Sequence, residues 1–279
     1  MSNDPFRIRD HVADFDDIVG DIARRSKVAR ETIPMVGDIA YGSDSTETVD
    51  LFFPEGERNG RPVHIFIHGG YWRMFSKRDY SYVAETITRA GAIAAIVDYA
   101  LMPSVRMVTI VDQIRRAKQW VLGHIVQYGG DPHLLTVSGH SAGAHLATML
   151  FNESSARPHI QAALLLGGLY ELKPLQSSFL SSEIGITDAE AAEFSPITQR
   201  FDRKTEVSIL IGAGETPPFL SQADAFARHL AAQGLNVSQT ALEGSNHMSS
   251  VRDMGVSGTQ AANLLESFIL RYRVASREG

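Results

Sequence analysis

Cysteine is absent from this 279-residue sequence. That excludes a disulfide framework, a thiol nucleophile and thiolate metal sites, and it is compatible with a reducing compartment. Long apolar runs are missing as well. The longest, such as Ala162 to Leu169, fall well short of the ~20 residues that span a bilayer. No apolar core follows the charges of the opening MSNDPFRIRD, so no secretory signal is expected. Excess positive charge is the third absence. With a formal net charge of -6 at pH 7 and a pI near 5.9, the chain lacks the clustered Lys and Arg that phosphate binding needs. The GxGxxG and GxxxxGK[ST] phosphate loops are missing, and no helical HExxH or third ligand accompanies the pairs His64/His68 and His140/His145. These absences together lead us to expect a soluble, cytoplasmic protein. It should need no metal or cofactor and contact neither nucleic acid nor membrane; homo-oligomerisation is left open.

What is present suits one folded unit. The hydrophobic fraction of 44% and charged fraction of 21% allow a large core without staples, and no linker-like break in composition divides residues 1–279. Phe15, Ile18, Val19, Ile22 and Val28 recur at helical spacing between Val12 and Thr32, with Pro34 as a stop. Asp38 to Pro54 alternates and carries turn residues at Gly42 to Ser45, as an edge hairpin would. From Pro62 onward strands and helices alternate: Val63–Ile67, a helix over Lys77–Arg89, Ala92–Val97, a helix from Met107 to Tyr128, the strand from Leu134, then Ile160–Leu166. After an irregular stretch, Val207–Ile211, Ser221–Gln233, Val237–Leu242 and Gln260–Arg271 resume the rhythm. This alternation predicts an α/β fold with a mostly parallel sheet covered on both faces by helices. The irregular stretch, about residues 170–204, reads as a small lid or cap excursion.

The informative stretch is LLTVSGHSAGAHLATML, Leu134 to Leu150. An apolar strand turns sharply at Gly139-His140-Ser141-Ala142-Gly143 and continues as a helix-forming run, the context in which G-x-S-x-G is a nucleophile elbow. Without those flanks it would be an ordinary glycine-flanked turn. A serine hydroxyl is a weak nucleophile, so Ser141 needs a base within reach and a group that orients that base. In this architecture the partners follow in the order serine, acid, histidine on loops at the carboxyl ends of strands. Of the ten histidines, His247 satisfies this order. His11 comes too early, His159 precedes a strand, and His229 falls inside a helix. For the acid, Glu215 in Gly212-Ala213-Gly214-Glu215-Thr216 is favoured over Glu171, which follows the preceding strand; Asp98 lies before the nucleophile. A developing oxyanion needs preorganised donors. Ala142 offers one backbone N–H, and Gly69 and Gly70, in His68-Gly69-Gly70-Tyr71-Trp72, offer others.

With those residues in place the sequence resembles a known family. The HGGYW at 68 to 72, the GHSAGAHL at 139 to 146, the Gly214 to Phe219 loop and the late His247 are similar to the kynurenine formamidase (arylformamidase) branch of the α/β-hydrolase superfamily. The Asp98-Tyr99 segment ending at Pro103 also resembles hormone-sensitive-lipase-like esterases. The resemblance implies an α/β-hydrolase fold, Ser141, Glu215 and His247 as the triad, and Gly69, Gly70 and Ala142 as oxyanion donors. Glu215 departs from the Asp often found at the acid position of that branch. The expected activity is a cofactor-independent serine hydrolysis of small, short-acyl aryl esters or N-formyl aryl amides through an acyl-enzyme. A dedicated kynurenine formamidase is the alternative, and a non-catalytic ligand-binding member of the fold is a further one. Tyr71 and Trp72, directly after the oxyanion glycines, are candidate aromatic walls of the substrate pocket, unless both rings pack inward as core.

Overall fold

A computed structural model describes residues 4–57, 59–154 and 160–274. Eight strands form one sheet in the order β1-β2-β4-β3-β5-β6-β7-β8. β1 (Met35–Ala40) and β2 (Thr48–Phe52) make the antiparallel edge. The other strands run parallel: β3 (Arg61–Ile67), β4 (Ile93–Val97), β5 (Gly130–His140), β6 (Ala162–Leu166), β7 (Glu206–Gly212) and β8 (Val237–Leu242). β4 and β6 are buried along their whole length, as the near-continuous apolar runs of a sheet covered on both faces require. The covering helices are α1 (Phe15–Thr32), α2 (Ala84–Arg89), α3 (Met107–His124), α4 (Ala142–Thr148), α5 (Asp188–Phe194), α6 (Pro217–Ala232), α7 (His247–Asp253) and α8 (Gln260–Val274). Among the described residues no helix is long and apolar enough to cross a membrane.

Register decides what the sheet can do. Ile67 pairs with Gly139, His140 with Leu166, Leu166 with Leu210, and Gly212 with Leu242. The carboxyl ends of β3, β5, β6, β7 and β8 therefore finish side by side. The loops carrying Gly69, Ser141, Gly167, Glu215 and His247 all leave from that one edge, although they span most of the chain.

Two local differences from the sequence reading have clear causes. The helix expected over Lys77–Arg89 begins only at Ala84, after a single 3-10 turn at Ser81–Val83. Its would-be first turn is occupied otherwise: Lys77 is buried between the carboxylates of Asp38 and Asp50, and Asp79 accepts hydrogen bonds from the N–H and hydroxyl of Ser76. The second difference is α7, a seven-residue helix between the last strand and α8 that no periodic pattern announced. A side-chain cap starts it. Asn246 Oδ1 accepts the N–H groups of Met248 and Ser249 at 2.9 and 2.8 Å, and Ser249 Oγ accepts the Asn246 N–H. Residues 170–204 hold three short 3-10 helices and α5, which is started by a Thr187/Glu190 capping box.

Candidate active site

Ser141 joins β5 to α4 with φ 56° and ψ -119°, a conformation that a non-glycine residue holds only when its surroundings impose it. Two close approaches impose it. A Cβ on Gly139 would lie 2.3 Å from the Gly143 carbonyl oxygen, and one on Gly143 would lie 2.1 Å from the Ile67 carbonyl oxygen. Only glycine lets α4 sit directly on the end of β3 and β5. The Ser141 N–H donates to the Leu166 carbonyl at 2.8 Å, tying the turn to the neighbouring strand.

The candidate acid and base arrive on the loops after β7 and β8. His247 is the first residue of α7, so the Asn246 cap that starts the helix also sets where the imidazole begins. His247 Nδ1–H donates to Glu215 Oε2 at 2.7 Å, while Glu215 Oε1 accepts the Gly212 N–H at 3.3 Å. Both side chains are almost wholly buried. A proton held on Nδ1 leaves the Nε2 lone pair free to accept another. Gly167 roofs the pair at φ 54°: a Cβ there would come within 2.8 Å of Glu215 Oε1 and 3.2 Å of His247 Nδ1. His247 is held further by rings on its neighbours, His140 and Phe219, each with a centroid 4.6 Å away. His140 Nε2–H donates to the His247 carbonyl at 3.0 Å. Burial first, and the adjacent His247 second, hold the His140 pKa well below the ordinary histidine value, so this ring stays a neutral prop. The rival acid, Glu171, is exposed and accepts no part of this network; its own N–H is bound by Gln222 Oε1. His229 is bonded to the Gln199 carbonyl inside α6, Asp98 faces His68 at 3.3 Å, and His159 lies outside the described residues.

The loop after β3 lies against the elbow. A Cβ on Gly69 would be 2.8 Å from the His140 carbonyl oxygen and 3.3 Å from Ser141 Cβ. Ala142, as the first residue of α4, has no preceding helical carbonyl for its N–H. The loop carrying Gly69 and the start of α4 thus meet beside Ser141. The loop itself carries φ values of 104°, 50° and 57° at Gly70, Tyr71 and Trp72, a left-handed run that bulky residues adopt only under constraint.

That run corrects one expectation. Trp72 does not border the substrate pocket. It turns inward, fully buried, and its Nε1–H donates to His145 Nδ1 at 3.2 Å while His145 Nε2–H donates to the Phe194 carbonyl. Tyr71 does face the cavity, with its hydroxyl donating to the Phe6 carbonyl at 2.6 Å. The cavity measures about 240 Å³ and is lined by Ser141, His140, His247, Gly70, Tyr71 and Tyr80 on the sheet side. Its size is slightly below the ~300–1,000 Å³ of sites for drug-sized ligands, which suits a small substrate.

The comparisons with known proteins agree with this fold. Residues 64–250 match the model of a family described by its alpha/beta hydrolase fold. The chain belongs to the α/β-hydrolase family. It is 30% identical over 239 residues to a kynurenine formamidase of Danio rerio, covering 81% of this chain and 79% of that protein. It is 31% identical over 157 residues to an esterase of Mycobacterium tuberculosis, covering 51% of this chain and 37% of that one. Among solved structures, a candidate thioesterase from a Silicibacter species superposes with a TM-score of 0.81 at 23% identity, over 94% of this chain and 98% of that one, a likeness of fold.

The far wall of the hydrolase's cavity was not anticipated. Arg7, Ile8, Arg9, Asp10 and Phe15 line it, together with Phe179 and Glu183 from the excursion. The segment Asp4 to Asp10 is strapped across the site. Thr216 Oγ1 donates to the Pro5 carbonyl at 2.7 Å, the Phe179 N–H to Asp4 Oδ2 at 2.5 Å, and the Phe6 ring packs 6.0 Å from that of Phe219. No motif marked this segment; the only available signal was Phe6 and Ile8, two apolar residues in a charged stretch.

Proposed function

We propose that this α/β hydrolase cleaves small aryl esters and N-formyl aryl amides through an acyl-enzyme on Ser141. The observation that carries the reading is the strained serine facing the same cavity as a buried histidine whose Nδ1–H is bound to a carboxylate. Ser141 Oγ attacks the substrate carbonyl carbon as His247 Nε2 takes its proton. The tetrahedral oxyanion is received by the backbone N–H groups of Gly69, Gly70 and Ala142. Glu215 keeps the imidazole in the right tautomer and stabilises the imidazolium, which then gives its proton to the departing alkoxide or amine. Water, activated by the same nitrogen, releases the acid. The small cavity supports a short acyl group, and Tyr71, Tyr80 and Phe179 supply aromatic walls for a flat leaving group.

The formamidase relatives favour a narrower second reading, in which N-formylkynurenine is the substrate. We also assign the enzyme to the cytoplasm, since a chain without cysteine needs no oxidising compartment. A fluorophosphonate probe tests the mechanism: labelling of the wild type that disappears in Ser141→Ala is expected. A folded wild type that takes up no label would instead mean a ligand-binding member of the fold. Comparing kcat/KM for N-formylkynurenine, 4-nitrophenyl acetate, 4-nitrophenyl butyrate and ethyl butyrate then sorts the substrates. Absent formamidase turnover with preferred butyrates would retire the formamidase reading and leave a general carboxylesterase.

A further inference from the structure

The strap supplies more than a wall. Six charged side chains come together at the mouth of the cavity or beside it: Arg7, Arg9, Arg73, Asp10 and Glu183 line it, and Asp16 stands just outside. Most are already spent on one another. Arg73 is paired with Glu183 at 2.8 Å, and Arg9 donates to Asp16 at 2.7 Å. Arg7 is different. Among the described residues its guanidinium makes only a 3.8 Å contact from Nε to Asp10, longer than a hydrogen bond, and lies 4.5 Å over the ring of Phe179. A guanidinium carries five N–H donors in a planar fork that matches a carboxylate. The backbone that carries it is tied down: the Arg7 N–H donates to the Asp4 carbonyl at 3.0 Å, and the Phe6 carbonyl accepts the Tyr71 hydroxyl.

We propose that Arg7 is a specificity-determining residue that anchors a carboxylate carried by the leaving group of the substrate. This rests on the short-acyl hydrolase reading above. A formyl or acetyl group occupies little space beside Ser141, so the strap wall is left to the leaving group. A flat ring placed there lies among Tyr71, Phe179 and Tyr80, and an anionic tail extending from it reaches the charged mouth. Of the three arginines at that mouth, Arg7 alone, among the described residues, has no carboxylate at hydrogen-bond distance, so its charge is the one left to pair with an incoming anion.

The test uses two acetyl esters with the same phenol leaving group, 3-(4-acetoxyphenyl)propanoate and its uncharged primary amide. The readout is the ratio of their kcat/KM values. For one partly exposed charge-assisted contact we expect the wild type to favour the carboxylate on the order of tenfold, mostly through KM. That preference should shrink as ionic strength rises from about 0.05 M to about 0.5 M. Arg7→Gln should bring the ratio to about one, and Arg7→Lys should fall between, because a point charge lacks the fork. Arg24→Gln, on the solvent side of α1 and outside the cavity lining, should keep the wild-type ratio. A ratio near one in the wild type, or one that Arg7→Gln leaves intact, overturns the assignment of Arg7 while both esters are still hydrolysed. Failure to hydrolyse either ester, with no fluorophosphonate labelling, would strike the hydrolase reading itself.

Discussion

The two sides of the cavity are built in opposite ways. On the sheet side, positions are set by what side chains lack: Gly139, Gly143, Gly69 and Gly167 stand where a single Cβ would collide with backbone or with the acid–base pair. On the strap side, positions are set by main-chain carbonyls of Asp4, Pro5 and Phe6 accepting bonds from Arg7, Thr216 and Tyr71. The first kind of construction leaves a signature in the sequence, because only one residue type fits. The second leaves almost none, because every residue has a carbonyl. It also follows that the sheet side should tolerate few substitutions, whereas the strap, apart from Asp4 and Phe6, can vary in sequence and still hold its path.

The sharpest test of that contrast is on the sheet side. Glu215→Gln should lower kcat by about 10⁴-fold if the carboxylate orients His247, while Glu171→Gln, exposed and off the network, should cost far less. The reverse ranking would move the acid to the loop after β6 and break the comparison at its base. Next in size is Trp72→Ala. Loss of a fully buried indole should destabilise the protein by about 3–5 kcal/mol in urea unfolding, yet leave the ratio of aryl to alkyl ester rates nearly as it was. A large change in that ratio would return Trp72 to the substrate wall.

A third prediction concerns acid. Burial pushes His145 down to about 4 and His64 down to about 3, and it lowers His140 as well. These rings stay neutral in the folded state while the unfolded chain takes up protons below the ordinary ~6.5. Stability is therefore full above about 6.5 and declines as pH falls from there towards 4. His145 alone contributes a loss of about 3 kcal/mol by the lower limit. Unfolding midpoints at a series of pH values should show this slope, and His145→Gln should flatten it; an unchanged slope would mean the ring is not held neutral. The smallest effect is assigned to Phe6→Ala. The Phe6 ring supports Phe219, which packs on His247, so kcat should fall about tenfold for charged and neutral esters alike. A change confined to the carboxylate ester would mean that Phe6 acts through Arg7 rather than through His247.

Legibility in the sequence followed the same division. The parallel strands in their succession along the chain, the antiparallel edge and the elbow could be read because apolar runs and glycine punctuation encode them directly. Glu215 and His247 could be singled out because the architecture restricts candidates to loops after particular strands, and the structure places those two side chains 2.7 Å apart. The inward turn of Trp72 could not be read. It depends on left-handed φ values at Tyr71 and Trp72, which no side-chain preference announces and which the bonds from Tyr71 to Phe6 and from Trp72 to His145 stabilise. Helix α7 escaped because its start is a cap at Asn246 followed by too few turns for periodicity to emerge.

The strap also sets a clock. Its bonds reach from Asp4 to Phe179 and from Pro5 to Thr216, separations of 175 and 211 residues. On a ribosome adding ~5–20 residues per second, roughly 10–40 s pass between the synthesis of Pro5 and that of its partner. The first part of the wall to be made is thus among the last to be placed, and the nascent enzyme has an unfinished cavity until its final strands and helices have emerged.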